Sequence, residues 1–264
     1  MSKASGTRRK GILLDTTRCV GCGACYQACK EQNQLPKTAD NFLQDNLSSK
    51  TFTVVNNRSG RFVRRMCMHC EEPTCASVCP VGALEKTASG AVVYAKEKCI
   101  GCRYCMQACP FGIPKYEWES AFPYVKKCDM CTGRQAKGLA TACATACPTG
   151  ATQFGDREEL IREARQRMAA DPGRYSGQIF GLDEVGGTGV MIISDASVAQ
   201  LGYPTNLGKE PLPQLTWAVL EKIPKAVSFG GVLLGGIWWI TKRREEVAKA
   251  EGKLRRVLPK REEI

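Results

Sequence analysis

The stretch Cys99-Ile-Gly-Cys102-Arg-Tyr-Cys105-Met-Gln-Ala-Cys109-Pro110 has the spacing C-x2-C-x2-C-x3-C-P, which in bacterial proteins holds cubane [4Fe–4S] clusters. Three thiolates two residues apart wrap a short loop around one cluster. The fourth, one helical turn on, points away to a second cluster. Pro110 then stops the helix, because it has no N–H to continue the turn. A run of this kind requires partner runs, and the chain has three. Cys19, Cys22, Cys25 and Cys29 repeat the spacing. Cys67, Cys70, Cys75 and Cys79 carry two extra residues before the third ligand, and Cys128, Cys131, Cys143 and Cys147 stretch that gap to eleven. The four tetrads use all 16 cysteines of the 264 residues. They predict four [4Fe–4S] clusters, with iron bound through these cysteines.

Other uses of cysteine fit less well. Disulfide frameworks belong to small secreted domains, and structural zinc favours isolated sets built from two C-x2-C pairs. The formal charge of +12 would suit a nucleic-acid partner. Each oxidised cluster with four thiolates carries roughly −2, however, so four offset about eight of those charges. Aromatic residues make up only 7% of the chain and do not interleave with a basic stretch as a single-strand binder requires. A nucleic-acid role is therefore set aside. The single histidine, His69, lies between Cys67 and Cys70. One histidine makes a poor haem carrier, and His69 is expected to pack beside a cluster or tune it by hydrogen bonding. No nucleophile–base pair, Walker loop or dinucleotide fingerprint is recognisable, so no catalytic residue is assigned.

Along the chain, residues 1–10 are polar and basic and read as a flexible N-terminus. Arg8-Arg9 hints at a twin-arginine signal, but the apolar run Gly11–Leu14 is too short for one and meets Asp15, so no signal peptide is expected. Gly11–Asp15 reads as a strand and Ala24–Asn33 as a helix carrying Cys25 and Cys29. Lys50–Asn56 and Arg61–Arg65 read as strands around the turn Asn57-Arg58-Ser59-Gly60. Cys79-Pro-Val-Gly-Ala83, Cys109-Pro-Phe-Gly-Ile113 and Cys147-Pro-Thr-Gly-Ala151 form an internal repeat: helix, proline stop, glycine turn, short strand. Ala91–Ala95 is the strand leading back to Cys99. Residues 156–170 read as a packing helix, with Asp156 and Glu159 as a capping box and Leu160, Ile161, Ala164 and Met168 as its apolar stripe. Gly186-Gly-Thr-Gly189 does not match G-x-G-x-x-G and reads as a turn into the strand Val190–Ile193. The predicted fold is α+β, a four-cluster domain over 11–201 built of two ferredoxin-like modules with two clusters each.

A linker over 202–217 leads to a predicted transmembrane helix over 218–241 and a basic cytoplasmic tail over 242–264. Ala226–Thr241 is an uncharged run of 16, short against the ~20 residues that span a bilayer. Lys222 and Lys225 can snorkel and extend it, and Trp238 and Trp239 suit an interfacial belt. Gly231-Val-Leu-Leu-Gly235 is a G-x-x-x-G pattern that permits close helix–helix approach in lipid. Lys242-Arg243-Arg244 and later cations place the C-terminus in the cytoplasm by the positive-inside rule. The cluster domain then lies on the periplasmic face of a prokaryotic cell membrane. Cluster insertion requires the cytoplasm, so export of the folded chain with a signal-bearing partner is expected.

With the tetrads, Cys67-Met-His-Cys70-Glu-Glu-Pro, the Gly186-Gly-Thr strand and one C-terminal helix, the chain resembles the four-cluster iron–sulfur (beta) subunits of membrane-bound respiratory oxidoreductases. These include the subunits of uptake nickel–iron hydrogenase and formate dehydrogenase N, and more broadly the dimethyl sulfoxide reductase electron-transfer subunits. The likeness runs from about residue 11 to 241 and is strongest over 61–155. Cys99–Tyr116 leans to the hydrogenase type; Lys50-Thr-Phe-Thr-Val54 leans to the formate dehydrogenase type. Spacing alone permits pairing motif two with three, or one with two and three with four. The resemblance implies nested pairing. Cys19, Cys22, Cys25 and Cys147 then hold cluster one, and Cys29, Cys128, Cys131 and Cys143 hold cluster two. Cys67, Cys70, Cys75 and Cys109 hold cluster three, and Cys79, Cys99, Cys102 and Cys105 hold cluster four. Motif one departs in having Lys30 where the others have proline, so its helix is expected to run a turn further.

The implied function is an electron wire that performs no bond chemistry. It links a catalytic subunit, of nickel–iron hydrogenase or molybdenum/tungsten formate dehydrogenase type, to a quinone-reactive integral-membrane subunit that carries any haem b, within a hetero-oligomer. Three rivals are a self-standing reductase, a soluble polyferredoxin carrier with its C-terminal helix folded onto the domain, and the iron–sulfur subunit of a molybdopterin reductase passing electrons the opposite way.

Overall fold

Ile12, Leu13 and Leu14 form an apolar run too short for a helix, and they become the middle of the chain's central strand. The computed structural model describes residues 8–121 and 123–252, which fall into two compact units divided between Pro213 and Gln214. The first unit opens with β1 (Lys10–Asp15), α1 (Ala24–Gln32), β2 (Val54–Arg58) and β3 (Arg61–Arg65). It continues with α2 (Thr74–Ser77), β4 (Leu84–Lys86), β5 (Val92–Tyr94), α3 (Tyr104–Gln107), β6 (Lys115–Tyr116) and β7 (Val125–Lys126). Then come α4 (Thr132–Gln135), α5 (Ala142–Thr145), β8 (Thr152–Asp156), α6 (Arg157–Ala170) and β9 (Val190–Ile193).

The largest sheet has the order β8-β1-β9. β1 runs antiparallel to β8, with Ile12 opposite Phe154, and parallel to β9, with Leu14 opposite Ile192. Because side chains alternate across a strand, the two faces receive different neighbours. Leu13, Met191 and Ile193 meet Leu160, Ile161 and Ala164 of α6. Ile12, Leu14, Val190 and Ile192 face a larger core that contains Cys67, Cys128 and Cys143. One sheet thus carries an ordinary helix on one side and the cysteine-bearing loops on the other.

Three two-stranded ribbons complete the unit: β2-β3, β4-β5 and β6-β7. The β2-β3 turn uses Ser59 and Gly60 at φ 51° and 78°, the left-handed pair that suits a two-residue hairpin. β4, β6 and β8 each follow a Cys-Pro-x-Gly sequence, as the internal repeat predicts. Two further helices follow: α7 (Leu212–Leu220), and α8 (Ile223–Ala250) with a proline in its first turn, where a missing N–H costs nothing. Leu212–Ala250 is the one helical stretch among the described residues long and apolar enough to cross a membrane, and its apolar window is unburied within the chain.

The structure departs from expectation at several places. Within residues 1–10, Lys10 already belongs to β1. Arg8 pairs with Asp156 and Glu159, and Arg9 with Glu71, so charges rather than apolar contacts tie down this end. Residues 1–7 and 253–264 lie outside the described residues. Asp156 makes no capping hydrogen bond; its carboxylate instead takes Lys10 Nζ at 2.5 Å and Arg8 at 3.3 Å. The linker expected over 202–217 is already helical from Leu212, and the helix expected to end at Thr241 continues to Ala250.

A buried ion pair locks α6 to β1. Asp15 is wholly enclosed and receives Arg167 at 3.2 Å, while Tyr175 donates to it at 3.1 Å. Removing one member of a buried pair strands the other's charge, at a cost of about 3–5 kcal/mol. Arg167→Leu should therefore lower the anaerobic guanidinium midpoint, followed by circular dichroism. Arg162→Leu, at a 65% exposed position on the same helix, should change stability by less than about 0.5 kcal/mol. Equal midpoints for the two variants would contradict this assignment.

Candidate iron–sulfur site

The four motifs share one backbone feature. Two residues after the first cysteine, Gly21, His69, Gly101 and Met130 all have positive φ, at 69°, 48°, 72° and 59°. In motifs three and four this left-handed turn folds the loop back over its first thiol. Gly101 N–H donates to Cys99 Sγ at 3.4 Å and Met130 N–H to Cys128 Sγ at 3.3 Å. Glycine takes this conformation freely, whereas other residues pay about 1–2 kcal/mol. His69 is held there from both ends: its Nδ1 accepts Val92 N–H at 2.9 Å, and its carbonyl accepts Gly189 N–H at 3.0 Å. The Gly186–Gly189 loop is thus a brace for motif two. With Nδ1 accepting, the proton of neutral His69 sits on Nε2, which is buried and has no hydrogen-bond partner among the described residues.

A second nest surrounds the last thiol of motifs two, three and four. Gly82, Gly112 and Gly150 have φ 61°, 62° and 65°. The N–H groups of Ala83, Ile113 and Thr152 donate to Cys79, Cys109 and Cys147 Sγ at 3.2, 3.5 and 3.4 Å. Burial would raise the Cys79 thiol, but the N–H groups of Val81, Ala83, Leu84 and Gly82 outweigh it and hold the thiol below its usual value. Motif one lacks Pro-x-Gly, and α1 runs three residues past Cys29. There the side chain of Asn33 donates to Cys29 Sγ at 3.7 Å. Lys30 turns inward, giving its Nζ protons to Pro36 O at 2.7 Å, Thr38 Oγ1 at 2.8 Å and Thr51 Oγ1 at 3.0 Å.

The structure gathers the cysteines from distant parts of the chain. Cys19, Cys22, Cys25 and Cys147 line one cavity, and Cys29, Cys128, Cys131 and Cys143 line another. Burial pushes the Cys75 thiol up to about 12, with the Cys67 and Cys109 thiolates adding to it, and Cys70 feels Cys67, Cys109 and Cys75. Burial pushes Cys105 up to about 11, and Cys102, Cys99 and Cys79 add to it. Neighbouring sets also lie within electrostatic reach of one another. Cys25 feels Cys143, Cys128 feels Cys67, and Cys75 feels Cys105. These influences link one with two, two with three, and three with four. The two exposed thiols, Cys22 and Cys102, belong to the two ends of that series.

The donor chemistry fits iron–sulfur clusters. All 16 thiols are free, and several sulfurs receive backbone N–H groups, which favour a ligated thiolate. Most of the thiols resolved in sets two and three are pushed up by burial, so a bound cation is needed to keep them ionised. Among the described residues, no three His, Cys, Asp or Glu side chains stand close enough to hold a single metal ion. A tetrahedral zinc site would draw its sulfurs to about 3.8 Å apart; a cubane holds its four ligands wider.

Sequence reasoning missed the cations beside these thiols. Arg64 stands between Cys25, Cys29 and Cys143. Lys86 donates to the carbonyl of Cys70 at 2.6 Å, and burial, then Arg9, lower its pKa to about 8. Lys127 donates to the carbonyls of Val92 and of Cys128, the latter at 2.9 Å. Strand alternation gives no sign of this, because Arg64 follows the buried Val63 directly and both are enclosed.

Comparison with known proteins adds the family. A 4Fe–4S dicluster domain matches residues 59–157, and a second dicluster domain matches residues 18–83. A protein of Nitratidesulfovibrio vulgaris is 41% identical over 255 residues, covering 91% of this chain and 69% of its own length. The hydrogenase-2 operon protein HybA of Escherichia coli O157:H7 is 35% identical, over 74% of this chain and 72% of its own. The formate dehydrogenase-O iron–sulfur subunit of Escherichia coli K12 is 34% identical, over 86% of this chain and 81% of its own. With two dicluster domains and relatives of this extent, the chain belongs to the family of iron–sulfur electron-transfer subunits that includes HybA and the formate dehydrogenase iron–sulfur subunits.

Proposed function

We propose that this chain is a four-cluster relay, carrying electrons between a catalytic subunit and a quinone-reactive subunit in the membrane. The observation that carries this reading is the succession of four cysteine sets, each in electrostatic contact with the next, with exposed thiols only at the ends. Set one is Cys19, Cys22, Cys25 and Cys147; set two is Cys29, Cys128, Cys131 and Cys143. Set three is Cys67, Cys70, Cys75 and Cys109; set four is Cys79, Cys99, Cys102 and Cys105. Each holds one [4Fe–4S] cluster in a ferredoxin-like module, and a cluster supplies a single one-electron centre. The chain's own residues do the rest. Backbone N–H groups of Ala83, Gly101, Ile113, Met130 and Thr152 stabilise charge on sulfur, and burial of Cys29, Cys67, Cys128 and Cys143 keeps water from the middle of the series.

The names of the relatives point to a hydrogenase or a formate dehydrogenase as the catalytic partner. The helix over Leu212–Ala250 is read as a single membrane anchor, with the cations of 242–244 on the cytoplasmic side and the cluster domain on the periplasmic side. The quinone-reactive partner, with any haem b, packs on this helix in a hetero-oligomer. Gly231 and Gly235 have open space around them, as a small-residue docking face requires.

Two outcomes follow. In the complex purified with its catalytic subunit, Cys75→Ala in set three should abolish quinone reduction by hydrogen or formate while leaving viologen dye reduction by the catalytic subunit intact. Wild-type quinone reduction would contradict the relay. Gly231→Leu combined with Gly235→Leu should release the chain from its membrane partner in detergent without bleaching the cluster absorbance. Unchanged co-purification would contradict the docking face.

A further inference from the structure

The two cavities lined by cysteine sets one and two have one lining residue in common, Arg64. It comes from β3, opposite Val55 in the hairpin register, and is only 5% exposed. Its guanidinium is held at two points. Nε donates to Thr53 Oγ1 at 2.8 Å, and a terminal nitrogen donates to Thr152 Oγ1 at 3.2 Å. The two hydroxyls belong to opposite sides: Thr152 lines the cavity of set one and Thr53 the cavity of set two. Thr152 N–H in turn donates to Cys147 Sγ at 3.4 Å. The Tyr203 hydroxyl pins the Arg64 carbonyl from behind. Arg64 also lies within electrostatic reach of Cys143, Cys25 and Cys29.

A buried guanidinium is costly unless anions flank it. Its hydrogen bonds go to two neutral hydroxyls, and the thiols within its electrostatic reach come from both cysteine sets, so the compensating negative charge comes from the two sites themselves. Arginine suits this place better than lysine: its charge is permanent, and its planar fork presents donors in two directions at once.

We propose that Arg64 is an electrostatic bridge between the clusters of sets one and two, a single fixed cation that raises the reduction potential of both. The proposal rests on the cluster-binding reading given above and deepens it. Reduction adds one electron to a cluster, delivered by its neighbour in the series, and takes the cluster with its thiolates from about −2 to about −3. No proton moves and no bond breaks. Arg64 favours the more negative state on either side of it, and so keeps these two centres reducible although each is surrounded by thiolates. Lys86 and Lys127, the half-buried and buried cations beside set three, are untouched by changes at Arg64, so sets three and four serve as an internal control.

The test is a redox titration of the anaerobic, fully loaded chain followed by paramagnetic resonance, with each wave assigned by Cys22→Ser in set one and Cys131→Ser in set two. Iron content and the number of waves check the cluster reading by themselves. Against that background, Arg64→Gln should lower the midpoints of sets one and two by at least the equivalent of tenfold in the reduction equilibrium, ~59 mV for one electron. Sets three and four should stay in place. Arg64→Lys, which keeps the charge but loses the fork, should give smaller and unequal shifts of the same two waves. It decides the matter if the glutamine variant fails to load. Four unmoved waves in a loaded variant, or shifts confined to sets three and four, would overturn the proposal while leaving the cluster reading intact.

Discussion

The antiparallel pairing of β1 with β8 is the constraint on which the rest of this structure depends. Residues about 140 apart in sequence lie side by side in this ladder, with Leu13 opposite Gln153 and Leu14 opposite Thr152. The loop that leaves β1 carries Cys19 and Cys22 and leads straight into α1 with Cys25; the turn that enters β8 carries Cys147. The ladder thus brings together thiols that no local motif could assemble. β9 reinforces it on the other edge, where Ile12 faces Val190. The long closure costs conformational entropy before any contact offsets it. Apolar burial of Ile12, Leu13 and Met191, all 0% exposed, supplies the compensation, at about 1.5–3 kcal/mol per side chain.

Electrostatics shapes the interior as strongly as apolar packing. Sixteen thiols occupy one unit, several of them fully enclosed, and a cluster domain must keep many negative charges out of water. The chain answers with dipoles and cations. Left-handed turns at Gly21, Gly101 and Met130, and again at Gly82, Gly112 and Gly150, aim N–H groups at sulfur. Arg64, Lys86 and Lys127 bring whole charges to the same region. Part of the formal +12 is therefore interior counter-charge, which a surface reading of the sequence would misplace.

Much of this was legible in the amino-acid sequence, and the reasons differ from place to place. The Cys-Pro-x-Gly repeats announce their own geometry, because proline ends a helix and glycine permits the following turn; β4, β6 and β8 appear where they should. Lys30 in place of proline announces the longer α1 just as directly. The left-handed turn of the first loop is visible only where glycine marks it, at 21 and 101; at His69 and Met130 tertiary contacts hold a residue whose own preference lies elsewhere. The capping box at Asp156 failed for a related reason: Lys10 and Arg8, distant in sequence, claim the carboxylate first. Arg64 was read as one polar residue of a strand, since nothing local reveals that charge waits on both sides of it.

The central claim is that sixteen cysteines hold four cubane clusters in series, and iron spectroscopy reaches it most directly. Mössbauer spectra of the anaerobically purified, iron-57-labelled chain should account for about sixteen irons, all in [4Fe–4S] environments with cysteine ligation. Substantially fewer irons, or a majority in mononuclear or [2Fe–2S] environments, would contradict the account.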